Sequence, residues 1–248
     1  MTELKQWYQD KTFFRQDELL FGRCDIMERI NLSEILLATS DVAVLDYHLR
    51  GLSFDMLKEN GFAILVSRTS FKIEKMPKLN DIITVKTWEE APVGLQLSRR
   101  YEILDQQGNV MIHGSSLWII VDPESRRIIK PNQFTLTELP NTKTDFPGIP
   151  CGKIVIPEDM KNLEERIIRY TDLDANGHVN NSRYGAFVMD SLPDEFRKKE
   201  VKNFRINYSQ ESILGDKLQL LGNFQDEEKI IIVGKVEKGT CFEAEITF

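Results

Sequence analysis

Arg169-Tyr-Thr-Asp-Leu-Asp174-Ala-Asn-Gly-His178-Val-Asn-Asn-Ser-Arg-Tyr184-Gly-Ala-Phe187-Val188-Met-Asp-Ser191 joins a short strand-like run, ending near Tyr170, to a helical pattern. The spacing predicts a helix from near Asn180, with Tyr184, Phe187, Val188 and Ser191 on one face. Strand patterns follow at Val201–Ser209, Lys217–Phe224, Ile230–Glu237 and Phe242–Phe248. One apolar helix followed by a run of strands predicts an antiparallel sheet wrapped around the helix, an α+β arrangement.

The same order occurs earlier in the chain. A strand-like run from Phe13 to Cys24 precedes a helical pattern in which Leu32, Ile35, Leu36, Thr39, Ala43 and Asp46 share a face, only the last of them charged. Strand patterns then occupy Ala63–Ile73, Ile82–Glu89, Gln96–Leu104 and Val110–Val121, separated by turns at Pro77–Asp81 and Asp105–Gly108. Between the two series, Asp122 to about Glu158 holds six of the nine prolines and no periodicity, so it reads as a stiff linker. An offset of 147 residues sets Asp25 on Asp172 and Asn31 on His178. The repeated order predicts a tandem, or double, hotdog fold, an internal dimer in one chain. The expected boundaries are 1–135 for the N-terminal hotdog, 136–160 for the linker and 161–248 for the C-terminal hotdog.

Composition narrows the function classes. The 248 residues are 41% hydrophobic and 29% charged, with a net charge of −7. A general nucleic-acid binder needs a basic surface to neutralise phosphates, so no nucleic-acid partner is expected. No stretch approaches the roughly 20 apolar residues that cross a bilayer, and no membrane partner is expected. The start, Met1 to Asp10, lacks the apolar core of a signal peptide, so a cytoplasmic location is expected. Cys24, Cys151 and Cys241 are odd in number and far apart, which fits neither a disulfide framework nor zinc-ligand spacing. Neither a metal nor a cofactor is expected. Only His48, His113 and His178 could serve chemistry that needs an imidazole.

The quoted segment concentrates reactive groups. Asp172 and Asp174, the amides Asn176, Asn180 and Asn181, and His178 lie between Arg169 and Asn181, where a strand gives way to a helix. Gly177 lets the backbone bend, Asn180 or Asn181 can cap the helix, and free N–H groups at a helix start favour a developing oxyanion. Carboxylates and an imidazole in that setting suit hydrolysis of an activated acyl group.

Asp172-Leu-Asp174-Ala-Asn176-Gly-His178-Val-Asn180-Asn181 resembles the D-x-N-x-H-V-N-N segment of the acyl-acyl carrier protein thioesterases, the plant plastidial enzymes and their bacterial relatives. A second family segment, a tyrosine followed after two residues by a glutamate, reads here Tyr208-Ser-Gln-Glu211. The plant enzymes typically carry Cys after that glutamate; this chain has Ser212, so a Cys/His mechanism receives no support, and Cys241 lies elsewhere. Thr84–Trp88, Arg99-Arg100-Tyr101, Ser116–Trp118 and Arg126–Pro131 are also similar to the family's strands and the turn after them. The resemblance runs from about residue 10 to the end.

The resemblance implies hydrolysis of the thioester between a fatty acyl chain and the phosphopantetheine arm of acyl carrier protein. Asp174, Asn176, His178 and Glu211 are the implied catalytic residues, with Glu211 as general base and direct attack by Asp174 left open. An acyl tunnel is implied in the N-terminal half, whose own site is degenerate. Leu32, Ile35 and Leu36 are candidate tunnel walls, and Asn180 is a further candidate for substrate contact. The carrier is acidic, so a basic landing area is expected at Arg99, Arg100, Arg126, Arg127 and Lys130. Acyl-CoA is the alternative donor. A hydratase of the same fold is the rival enzyme, but its D-x-N-P-x-H pattern has a Pro after the Asn and its His one position further on. A non-catalytic acyl-binding regulator is the rival from another class, and a homodimer is a possible assembly.

Overall fold

Helix α1 (Leu32–Leu49) buries Leu32, Ile35, Leu36, Thr39, Val42, Ala43, Asp46 and Tyr47, the predicted face extended by Val42 and Tyr47. In the computed structural model, which describes residues 5–248, the strands around it are β1 (Gln6–Gln9), β2 (Thr12–Glu18), β3 (Ala63–Ile73), β4 (Ile82–Val93), β5 (Gln96–Leu104), β6 (Val110–Val121) and β7 (Ile128–Ile129). Residues 1–4, part of the polar start read above, lie outside the described residues. A short helix α2 (Phe54–Glu59) follows α1. The second half comprises β8 (Lys161–Ile167), α3 (Asn181–Asp190), α4 (Asp194–Arg197), β9 (Asn203–Tyr208), β10 (Lys217–Asp226), β11 (Lys229–Val236) and β12 (Gly239–Thr247).

All the strands join one 12-stranded sheet in the order β1-β2-β4-β5-β6-β3-β9-β12-β11-β10-β8, with β7 on β6. The first half contributes β2-β4-β5-β6-β3 and the second β8-β10-β11-β12-β9, the same order strand for strand. They meet where β3 and β9 pair antiparallel, Arg68 opposite Asn207 and Phe71 opposite Phe204. The fold is thus α+β and hotdog-like, each half a helix against antiparallel strands. The two helices touch at Gly185, where an added Cβ would come within 3.1 Å of the Ser33 backbone nitrogen and 2.8 Å of Leu36 Cδ1. Only glycine permits that approach.

Three expectations need correction. The first strand ends at Glu18 rather than Cys24, because the chain tightens into a 3-10 turn at Phe21–Arg23 and Cys24 then bridges Ile30. The linker does not begin at Asp122. A turn returns the chain to pair β7 on β6, and a 3-10 turn, Pro131–Gln133, follows. The third concerns Arg99 and Arg100, read as a carrier landing area. Arg99 is 1% exposed, its guanidinium 2.8 Å from Asp46 and 3.4 Å from Glu89. Arg100 is turned onto Glu90 at 2.8 Å and Ser115. A charged side chain on a strand became an internal counter-ion because α1 carries Asp46 on its buried face.

Asp46 also accepts a bond from Tyr8 Oη at 2.8 Å and pairs with Arg50 at 3.0 Å, so the one charge on that face is fully partnered. Removing one member of a buried pair leaves the other desolvated and unpaired. Arg99→Ala is expected to lower the unfolding free energy by about 3–5 kcal/mol, read as a shift of the urea midpoint. An unchanged midpoint would show that the pair contributes nothing.

Candidate active site

The segment between β8 and α3 is built from short-range hydrogen bonds. A 3-10 turn, Tyr170–Asp172, leads in, and the buried Asp172 carboxylate accepts the Arg169 N–H at 2.9 Å and the Arg183 guanidinium at 3.0 Å. Asp172 is therefore a structural carboxylate. At the next reversal the Asp174 N–H donates to the His178 carbonyl at 2.8 Å, and the Gly177 N–H donates to the Asp174 carbonyl at 3.0 Å. The Asp174 carboxylate accepts the Asn176 N–H at 2.8 Å. Gly177 has φ +77, which a side chain would disfavour. Asn180 caps α3, its side chain accepting the Ser182 N–H at 2.9 Å.

A second loop is stitched to this reversal. The Val179 N–H donates to the Ser212 carbonyl at 2.8 Å, and His178 bridges Ile213 antiparallel. Asp216 holds the loop's own shape by accepting the Ile213 N–H at 2.9 Å and the Ser212 hydroxyl at 3.2 Å. This register sets Glu211 beside the imidazole, Glu211 Oε2 standing 3.3 Å from His178 Nε2. Arg126, from the turn between β6 and β7, pairs with the same Oε2. Among the described residues, Glu211 Oε1 has no hydrogen-bond partner.

The N-terminal half contains the same device with different side chains. There the Asp25 N–H donates to the Arg29 carbonyl, the Glu28 N–H to the Asp25 carbonyl, and the Ile30 N–H to the Pro77 carbonyl. The Asp25 carboxylate accepts the Met27 N–H at 2.8 Å, and Glu28 takes the left-handed backbone that Gly177 takes in the second half. The halves therefore correspond at an offset of 149 residues, Phe21–Arg23 on Tyr170–Asp172 and Leu32 on Asn181. The offset of 147 is corrected: Asp25 corresponds to Asp174 and Arg29 to His178. Arg29 spans from Asp25 to the carbonyls of Arg197 and Lys199, so a cation bound to backbone stands where the second half has its imidazole.

Two cavities meet at the second-half constellation. One, of about 820 Å³, runs between α1 and α2 and is largely apolar, with Val44, Leu45, Leu52, Leu57 and Phe62 among its walls. The other, of about 580 Å³, is more polar and includes Asp174, Asn181, Tyr208 and Lys238. Arg126, Asn176, His178 and Glu211 line both; Asp174 lines only the second. Leu32, Ile35 and Leu36 do not line the large cavity, because they face the core and the opposite helix while Val44, Leu45 and His48 face the opening. Asn180 lines neither cavity, because its side chain is spent on the cap; its neighbour Asn181 lines the polar one. The signal for α2 was present in the sequence: Ser53 caps the helix by accepting the Met56 N–H at 3.3 Å, and Asp55 sits in its first turn.

Other nucleophiles are poorly placed. Ser212 is fully buried with its hydroxyl turned onto Asp216. Burial pushes the Cys241 thiol up to about 11, and burial also raises the Cys151 thiol, so neither yields a ready thiolate at neutral pH.

Models of the acyl-ACP thioesterase N-terminal and C-terminal domains match residues 10–133 and 157–243. The chain belongs to the acyl-ACP thioesterase family. It is 25% identical over 181 residues to the chloroplastic dodecanoyl-acyl-carrier-protein hydrolase of Cinnamomum camphora, covering 69% of this chain and 47% of that one. It is 24% identical over 175 residues to the chloroplastic palmitoyl-acyl carrier protein thioesterase of Arabidopsis thaliana, covering 65% and 41%. The chain thus spans less than half the length of these curated relatives. In structure it is similar to an acyl-ACP thioesterase of Bacteroides thetaiotaomicron, TM-score 0.84 at 21% identity over 96% of this chain and 98% of that one. It is also similar to the 12:0-ACP thioesterase of Umbellularia californica, TM-score 0.78 at 16% identity over 97% and 98%. Both likenesses are likenesses of fold.

The position of Ser212 gives a direct test. Against any thioester the protein cleaves, Ser212→Ala is expected to keep kcat within about threefold, the modest cost of one hydrogen bond. A loss of several orders of magnitude, measured as thiol release, would make the hydroxyl the nucleophile.

Proposed function

We propose that the protein hydrolyses fatty acyl thioesters of acyl carrier protein, releasing the fatty acid and the carrier's free thiol. The observation that carries this reading is that Asn176, His178 and Glu211 line the junction of a large apolar cavity and a polar one. An acyl chain fits the first and a pantetheine arm the second, which leaves the thioester between them. Both volumes fall within the usual range of small-molecule sites, about 300–1,000 Å³.

Glu211 Oε1 accepts a proton from water as the water oxygen bonds to the thioester carbonyl carbon. The Asn176 side chain and the amides at the start of α3 stabilise the oxyanion. Collapse of the tetrahedral adduct breaks the carbon–sulfur bond, and the departing sulfur takes up the proton through His178. No covalent enzyme intermediate is needed. Asp174 is assigned to holding the turn, because Asp25 makes the same bond to backbone in the half that lacks the imidazole and the glutamate.

The basic landing area reduces to Arg127 and Lys130, both exposed beside the turn that carries Arg126. CoA thioesters share the pantetheine arm, and carrier docking is what would separate the two donors.

Thiol release across carrier and CoA thioesters of graded chain length tests the activity. Glu211→Gln and His178→Ala are each expected to lower kcat by about 10²–10⁴, the usual range for a general acid or base. Asp174→Asn keeps the acceptor for the Asn176 N–H and is expected to cost about tenfold or less. Abolition by Asp174→Asn, with Glu211→Gln near normal, would transfer the chemistry to Asp174. Arg127→Glu with Lys130→Glu is expected to raise KM for the carrier-linked substrate about tenfold and spare a small thioester; equal effects on both would remove the docking role.

A further inference from the structure

Arg126 stands apart from the other basic residues of its segment. It occupies a tight turn in which its own N–H donates to the Asp122 carbonyl at 2.9 Å and the Asp122 N–H donates to the Arg127 carbonyl at 2.9 Å. The Asp122 carboxylate accepts the N–H groups of Ser125 at 2.7 Å and Glu124 at 3.1 Å, and these bonds hold its carboxyl below the usual carboxylate range. Within this turn Arg126 has φ 61, a left-handed backbone that side chains disfavour. The turn's own backbone bonds set where the Arg126 side chain leaves the chain.

That direction is towards the site. The turn belongs to the N-terminal half, yet the guanidinium reaches Glu211 in the C-terminal half and shares Oε2 with His178. Arg126 also lines both cavities, as Glu211 does. The groups facing Glu211 are Arg126 from this turn and His178 from the reversal before α3, with Lys238, from the turn between β11 and β12, lining the polar cavity.

We infer that Arg126 is a positioning residue for hydrolysis: it pins Oε2 of Glu211, so that Oε1 is the oxygen presented at the cavity junction. The inference rests on the reading above, in which Glu211 activates water. Arg126 is 56% exposed, and exposed ion pairs add little to stability. Its loss therefore registers in the chemical step rather than in unfolding. A docking residue would instead act on binding of the carrier.

The test is a double-mutant cycle on the full chain, using a fatty acyl carrier protein thioester and the same acyl group on N-acetylcysteamine, which has neither carrier nor phosphate. Arg126→Gln is expected to lower kcat about tenfold on both substrates with KM within about twofold, and Arg126→Lys to recover part of the loss as a point charge without the planar fork. In the Glu211→Gln background, Arg126→Gln should have no further effect, since residues acting as a unit are not additive. Multiplicative losses in the double variant, or a loss confined to KM for the carrier-linked substrate, would overturn the role of Arg126 alone. A wild-type chain that cleaves neither thioester would overturn the hydrolase reading and this inference together.

Discussion

The backbone hydrogen bond from the Val179 N–H to the Ser212 carbonyl sets the spatial relation on which the candidate site depends. His178 and Glu211 lie on separate segments, and neither helix nor sheet holds them together. The bond, with the His178–Ile213 bridge, fixes one register between the two loops. Side chains alternate along extended backbone, so a slip of one residue would turn the imidazole or the carboxylate away. Asp216 supports that register from within its loop, and Asp172 supports the approach to α3 from the other side. The carboxylates in this region thus divide into Asp172 and Asp216, which shape backbone, Asp174, which shapes backbone and also lines the polar cavity, and Glu211, which lines both cavities.

The duplicated frame shows what separates scaffold from chemistry. Both halves keep the 3-10 turn, the Asp-centred reversal, the bond from the residue before the helix cap to the opposite loop, and a carboxylate, Asp81 or Asp216, closing that loop. They differ in what the frame presents. The first half offers Met27 and Arg29, with Arg29 bound across to Asp25 and two carbonyls; the second offers Asn176 and His178. The geometry therefore does not require an imidazole. It requires the aspartate and a residue able to adopt left-handed backbone, which Glu28 supplies at a steric cost and Gly177 without one.

The regular elements were legible in the sequence because half-buried strands alternate and buried helices repeat. Ala63–Ile73, Gln96–Leu104 and Val110–Val121 fall at their predicted bounds. Short elements such as β1, β7 and α2 carry too few residues for a period to emerge. The true offset was hidden because Asp172 and Asp174 are two residues apart and either can be set on Asp25; only the hydrogen bonds choose between them. Arg99 was misread for a different reason. Its partner Asp46 lies on a helix far away in sequence, and the pairing that removes both charges from the surface is a tertiary fact. The two segments around His178 and Glu211 could be read one at a time, whereas their meeting, and the arrival of Arg126, depend on contacts between segments that no local pattern encodes.

The fused sheet explains why the pieces cannot be treated as separable. The β3–β9 pairing makes the two halves one sheet, and the close approach at Gly185 sets the two helices against each other. The large cavity takes its walls from α1, α2 and the start of β3, all in the first half, yet opens onto Asn176, His178 and Glu211 in the second. Glu211 in turn is approached at Oε2 from both halves, by Arg126 and by His178. A half that kept its own fold would still lack either the apolar cavity or the reactive pair. The duplication thus yields an asymmetric site, with the apolar volume and Arg126 drawn from one copy and Asn176, His178 and Glu211 from the other.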